Sequence, residues 1–177
     1  MKIKVEKVAL PEFSLLSDEV YEYSDSFKSK FSDPKNEIDI LAVAKAFFSF
    51  SPKWIGSLFA LRNKIVSIFG LKTGNGLGQK EEVLQNFKGE IGDQVGIFKV
   101  FNKADNELIL GENDSHLNFR VSILLVPQPD HTKDLTISTV VHFNNWFGKL
   151  YFFPVKPFHR LIVPAMLKST IRNLKKH

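Results

Sequence analysis

Residues 117–123 and 135–144 alternate apolar and polar side chains, the period of a strand covered on one face. Between them residues 127–134, with two prolines and two aspartates, read as a hairpin loop. Just upstream, residues 95–101 and 107–111 flank Asn102-Lys103-Ala104-Asp105-Asn106, a second hairpin turn. Consecutive strands joined by turns this short pair antiparallel, because a parallel pair needs a crossover of a dozen or more residues. An earlier strand over residues 20–31 places Tyr21, Tyr23, Phe27 and Phe31 on one parity and Glu22, Ser24, Lys28 and Lys30 on the other. Asp25 falls on the apolar parity.

The period changes after the Asp33-Pro34-Lys35-Asn36 break. Ile38, Leu41, Ala42, Lys45 and Ala46 trace a short helix ending near Ser51-Pro52. Trp54, Leu58, Leu61, Ile65 and Ile68 trace a second, up to Gly70. The loop over residues 71–78 carries three alternate glycines, but it follows a helix and no G-K-[ST] comes after it, so it reads as a connection and not a phosphate cradle. A last helix is predicted to open at Pro157, a favourable first helical residue. Its main stripe is Phe158, Leu161, Ile162, Ala165, Met166 and Ser169, widened by Val163, Leu167, Thr170 and Leu174. Pro164 should kink it at a cost of roughly 3 kcal/mol. The expected fold is therefore α+β, one domain over residues 1–177 with its core at about 20–175. A curved antiparallel sheet packs around a long C-terminal helix in a helix-grip arrangement, with two short helices after the first strand.

Composition narrows the chemistry. With no cysteine, disulfides, thiolate metal sites and cysteine nucleophiles are excluded, which fits a reducing cytosol. The first residues lack the apolar run of a signal peptide, and no stretch of eighteen apolar residues exists, so a cytoplasmic location is expected and integral membrane association is not. Phenylalanine is the outlier, at 17 against 3 Tyr and 2 Trp. Each buried ring removes on the order of 150–250 Å² from water, so the rings form either a packed core or the lining of a cavity. Charge is uneven. Residues 135–177 hold seven Lys or Arg and no acid, whereas residues 1–134 carry 17 basic and 19 acidic groups. That puts a cationic, aromatic-rich surface at one end of a balanced domain.

Several motifs together resemble one bacterial family, domain-of-unknown-function family 2867. They are Tyr23-Ser24-Asp25-Ser26-Phe27, Leu71-Lys72-Thr73-Gly74, the run from Leu110-Gly111-Glu112 to Arg120-Val121-Ser122, Val140-Val141-His142-Phe143-Asn144, and Gly148-Lys149-Leu150-Tyr151-Phe152-Phe153-Pro154 on to Phe158-His159-Arg160. The resemblance spans about residues 20–175. Members occur alone or fused behind an NAD(P)-binding short-chain-dehydrogenase-like domain, which this chain lacks, so no NAD role carries over and no cofactor is expected. The layout is similar to the START/Bet v 1-like and polyketide-cyclase superfamily, whose members bind lipids, hormones or polyketides and a few of which are enzymes.

Strand parity sorts the candidate site residues. His116, Asn118, Arg120 and Ser122 share one face, opposite Leu117, Phe119, Val121 and Ile123, and His142 and Asn144 oppose Val141 and Phe143. The polar set is then an outer face, solvated or paired, or else covered by a loop or partner. An unpaired carboxylate at Asp25 would be costly inside, so it should meet a cation, Arg62 or Arg160, or a tyrosine and backbone donors. His159 and Arg160 in a first helical turn would oppose the helix dipole and call for an anion nearby, Asp25, Asp114 or a ligand group. Neither a nucleophile elbow nor a histidine metal set is specified.

Three functions compete. The first is a binding domain for a small hydrophobic or amphipathic molecule, lined by Phe27, Phe119, Phe143, Phe158, Leu161 and Met166 and fixed by Asp25, Arg62 and Arg160. The second is a cyclase- or hydratase-like enzyme using Asp25 with His142 or His159. The third is an interaction module docking through the basic C-terminal surface on an acidic partner, a membrane surface or nucleic acid, the last not expected because the total charge is modest and no binding motif is present.

Overall fold

The computed structural model describes residues 3–49 and 80–175, so the expected second helix, the glycine-rich loop and Arg62 lie outside the described residues. Seven strands form one antiparallel sheet: β1 (Glu6–Val8), β2 (Tyr23–Ser32), β3 (Gln94–Val95), β4 (Phe98–Ala104), β5 (Glu107–Asn113), β6 (Leu117–Pro127) and β7 (Thr132–Phe143). Their spatial order is β1-β2-β7-β6-β5-β4-β3. Helices α1 (Ile40–Ser49) and α2 (Lys80–Asn86) lie between β2 and β3, and α3 (Trp146–Leu174) ends the fold. This is the expected α+β arrangement of an antiparallel sheet and a long C-terminal helix, consistent with a helix grip.

The strands run longer than the alternation alone indicated, because pairing continues into the turn residues. Pro127 pairs Lys133 and Ala104 pairs Glu107, so both hairpin turns shrink, to residues 128–131 and to Asp105-Asn106. His131 takes a positive φ of 55° to close the first. The central pair is long and regular: β2 meets β7 from Tyr23↔Val141 to Ser32↔Thr132.

Helix α3 begins eleven residues before the expected start at Pro157. Asn145 is the cap, its side-chain oxygen accepting from the Gly148 amide at 3.0 Å. Pro154, Pro157 and Pro164 all lie inside the helix. Each withholds an amide from the carbonyl four residues back, at Leu150, Phe153 and Arg160. Those three residues are exposed, so water can serve the freed carbonyls and the helix continues. The helix-dipole reason for an anion accordingly falls away, since His159 and Arg160 sit in mid-helix, although Asp25, one of the anions expected there, does lie beside His159.

The phase of α3 also differs from the expected main stripe. Gly148, Phe152, Val163, Leu167, Thr170 and Ile171 are the buried residues, while Phe158 is 43% and Leu161 64% exposed. The residues expected to widen the stripe are thus its centre. They pack with Phe27, Phe31, Ile123, Leu135 and Ile137 of the sheet and with Val43, Ala44 and Phe47 of α1.

The opposite face of the sheet is covered as well. Leu16 is wholly buried against Ile109 and Val140, with Leu10, Tyr21 and Phe101 around it. This N-terminal strap is latched by Glu107, whose carboxylate accepts from the Ser14 hydroxyl at 2.6 Å, the Leu15 amide at 2.9 Å and the Ser122 hydroxyl.

A buried ion pair joins the chain entering α1 to the start of β7. Lys133 Nζ lies 2.8 Å from Asp33 Oδ2 and donates to the Ile38 carbonyl at 2.6 Å. Asp33 also accepts from the amides of Glu37 and Ile38. Burial pushes the Asp33 carboxyl up, but the Lys133 ammonium and these amides outweigh it and hold the group below its ordinary 3.8. A depressed carboxyl stabilises the fold above its unfolded pKa, and that contribution disappears as pH falls through the folded value. Asp33→Ala should therefore cost on the order of 3 kcal/mol at neutral pH. In urea unfolding the difference from the parent should shrink once pH drops below 3.8. A difference independent of pH would contradict this role.

Candidate functional site

Asp25 is the third residue of β2, directly opposite Thr139 of β7, on the face turned to α3. The parity of a strand puts Tyr23 on the same face, two residues away. The Tyr23 hydroxyl donates to Asp25 Oδ2 at 2.5 Å, and His159 Nδ1 from α3 reaches the same oxygen at 3.0 Å. A carboxylate ion only accepts, so toward it the Tyr23 hydroxyl and His159 Nδ1 are both donors. Asp25 is thus paired by a tyrosine, as one expectation had it, and by His159 in place of Arg160; Arg62 lies outside the described residues.

The phenol is held in its neutral form. Burial first, and then the hydrogen bond and charge of Asp25, raise its pKa well above the usual 10, while the Arg160 guanidinium opposes the rise. Lys156 Nζ stands 5.3 Å from the centroid of the Tyr23 ring, and Phe152 meets the same ring edge-on at 4.8 Å. Four side chains of α3, Phe152, Lys156, His159 and Arg160, therefore converge on Tyr23 and Asp25.

The cluster is incompletely satisfied. Asp25 is 5% and Thr139 3% exposed, yet Asp25 Oδ1 and Thr139 Oγ1 have no hydrogen-bond partner among the described residues. A buried polar atom without a partner costs about 1–3 kcal/mol, more when charged, so each calls for a water, an ion or a ligand group. Thr139 was not singled out by the sequence reading, although its place on the apolar parity of β7 was the available signal.

Aromatic side chains flank the cluster. Phe119 and Phe143 are half-buried on the same face, Phe143 packing on Phe152 at 5.6 Å and Phe119 on Phe98 at 5.7 Å. Phe27 and half-buried Met166 belong to the main core. Phe158 and Leu161, expected to line the interior, point away from it, because the helix presents His159 and Val163 to the sheet. An open hollow of about 360 Å³ lies elsewhere, between α2 and β3, lined by Glu82, Val83, Asn86, Phe87, Asp93 and Gln94.

The second polar set is used structurally. Arg120 donates to the carbonyls of Phe119 and Glu112 and to Asn113 Oδ1, and its guanidinium sits 3.6 Å from the centre of the Phe101 ring. Asn144 and Asn118 exchange side-chain hydrogen bonds, and Asn144 donates to the Asp114 carbonyl. His142 lies 3.2 Å from Glu22 on the far side of the sheet from Asp25, which removes it as a partner for that carboxylate. His116 is buried, not solvated as an outer-face residue would be. Its ring packs 4.8 Å from Tyr151 and 5.9 Å from Phe147, and its Nδ1 is 3.4 Å from Asp114, out of line for a hydrogen bond. Its carbonyl explains Gly148: a Cβ there would stand 2.1 Å from His116 O, so only glycine lets α3 start this close to β6. Among the described residues no three His, Asp or Glu form a metal-binding group. Nor is any described helix long and apolar enough to cross a membrane.

The raised Tyr23 pKa has a measurable consequence. A group that holds its proton more tightly when folded stabilises the fold fully below its unfolded pKa, and the contribution is lost as pH rises toward the folded value. Above pH 10 the parent should lose stability more steeply than Tyr23→Phe in urea unfolding at stepped pH. Parallel losses would show that the phenol ionises freely.

A family model described as a protein of unknown function, DUF2867, matches residues 19–166. No curated protein and no solved structure matches the chain. The match takes in every strand from β2 to β7, the Asp25–Tyr23–His159 cluster and the first two-thirds of α3. The chain belongs to the DUF2867 family.

Proposed function

We propose that this domain holds a small amphipathic molecule between the sheet and α3, with a hydrogen-bonding end at Asp25 and Thr139. The observation that carries this reading is a pair of buried oxygens on adjacent strands, Asp25 Oδ1 and Thr139 Oγ1, that have no hydrogen-bond partner among the described residues. A carboxylate oxygen asks for a donor, so the ligand end is a hydroxyl, an amine or an amide N–H. Tyr23 and His159 hold the carboxylate still from its other oxygen, which spares the ligand the cost of orienting it. Phe119, Phe143 and Phe152 offer an apolar wall for the rest of the molecule. The layout similar to START and polyketide-cyclase proteins, which bind lipids, hormones or polyketides, agrees with that assignment.

The same geometry favours a second reading. With His159 Nδ1 turned to Asp25, a neutral imidazole offers Nε2 as an acceptor to a bound molecule, the arrangement of a general base.

Native mass spectrometry of gently purified protein tests the binding claim. The parent should carry one non-covalent adduct that is lost on unfolding. Thr139→Val should weaken its retention roughly tenfold, the worth of one good hydrogen bond. The same substitution should raise the stability of the empty protein, because it removes a buried hydroxyl without a partner. A parent without adduct in repeated preparations, or a destabilised empty Thr139→Val, sinks the proposal. If the adduct is also turned over, Asp25→Asn should abolish turnover while leaving part of the binding.

A further inference from the structure

The outward face of α3 is apolar where a solvated helix would be polar. Trp146 is 74%, Leu150 58%, Phe153 78% and Leu161 64% exposed. Spacings of four, three and eight place them on one face, with Pro157 between the last two. At 1.5 Å per residue the stripe runs about 22 Å. Single exposed apolar residues are ordinary, but a continuous aromatic and aliphatic stripe marks a contact surface.

Charge identifies the other side of that contact. Lys149 is exposed at one edge of the stripe, exposed Arg160 and half-buried Lys156 follow on the side of that edge turned toward Tyr23, and residues 135–177 contain no Asp or Glu. The preceding 134 residues carry a slight acidic excess, so the cationic character is confined to this end. We infer that α3 docks this domain on an anionic lipid surface, lying in the plane of the headgroups with Trp146, Leu150, Phe153 and Leu161 pointing into the acyl boundary. An apolar helix face edged by lysine and arginine is what such a surface binds. Nucleic acid is less well matched, because Leu150 and Leu161 offer no ring for a base to stack on.

The prolines limit the depth. Pro154 and Pro157 leave the carbonyls of Leu150 and Phe153 without amide donors, and those carbonyls need water that the hydrocarbon core does not contain. The helix therefore stops at the interface. This docking is independent of whether the interior holds a ligand.

Co-sedimentation of the full chain with vesicles tests it, comparing phosphatidylcholine alone with phosphatidylcholine containing phosphatidylserine. The protein should partition onto the phosphatidylserine vesicles, less so at high salt. Phe153→Glu should reduce partition at least tenfold, and Lys149→Ala about fivefold. Both side chains are exposed, so urea midpoints should stay within error of the parent, which separates lost docking from lost folding. Leu150→Glu serves as a second stripe variant should Phe153→Glu fold poorly. Absence of partition overturns the inference, as does partition equal on both vesicle types or unchanged by the stripe variants. Phe153-dependent capture by duplex DNA or polyglutamate in place of vesicles overturns it too, as does Phe153-dependent self-association that buries the stripe between copies.

Discussion

One carboxylate sets the geometry on which the rest of this fold turns. Asp25 sits on the inner face of the sheet, where an ionised group without partners would be costly. Its partners come from two elements, Tyr23 from its own strand and His159 from α3. The contact with His159 fixes the rotational phase of the helix, since turning α3 by one residue would withdraw the imidazole. With that phase set, Val163, Leu167 and Ile171 fall onto the main core and Phe152 onto the aromatic cluster around Tyr23. Gly148 sets the height of the same helix above β6. Polar pairing in the middle and close approach at the start thus position an element that apolar packing alone would leave free to rotate.

That freedom is real because α3 is apolar on both sides. Its inward stripe meets the sheet, and its outward stripe, from Trp146 to Leu161, is nearly as hydrophobic. The acid-free C-terminal segment, which as sequence suggests a single cationic patch, divides accordingly. Lys156 and Arg160 reach toward Tyr23 along one edge, while Lys149 stays exposed beside the stripe.

The antiparallel sheet was legible in the sequence because strand alternation is local, and the oddity of Asp25 was legible for the same reason. The helix was harder. Pro157 reads as a first helical residue, whereas the true start depends on the Asn145 cap and on a glycine that lets α3 approach the His116 carbonyl, a contact across thirty residues of chain. Its phase was misread because periodicity cannot rank two apolar stripes, and the choice is made by Asp25, more than a hundred residues away. The strap of Ser14 to Leu16 was missed since nothing local ties it to Glu107. Thr139 became informative only when the register placed it opposite Asp25.

The central question is what meets Asp25 Oδ1 and Thr139 Oγ1, which have no hydrogen-bond partner among the described residues. A crystal structure of protein purified without detergent or organic solvent measures this. The account predicts non-protein density within hydrogen-bond distance of both oxygens, continuing along Phe119 and Phe143. Direct pairing of those oxygens with protein groups, with the space between sheet and helix closed by side chains, would contradict it.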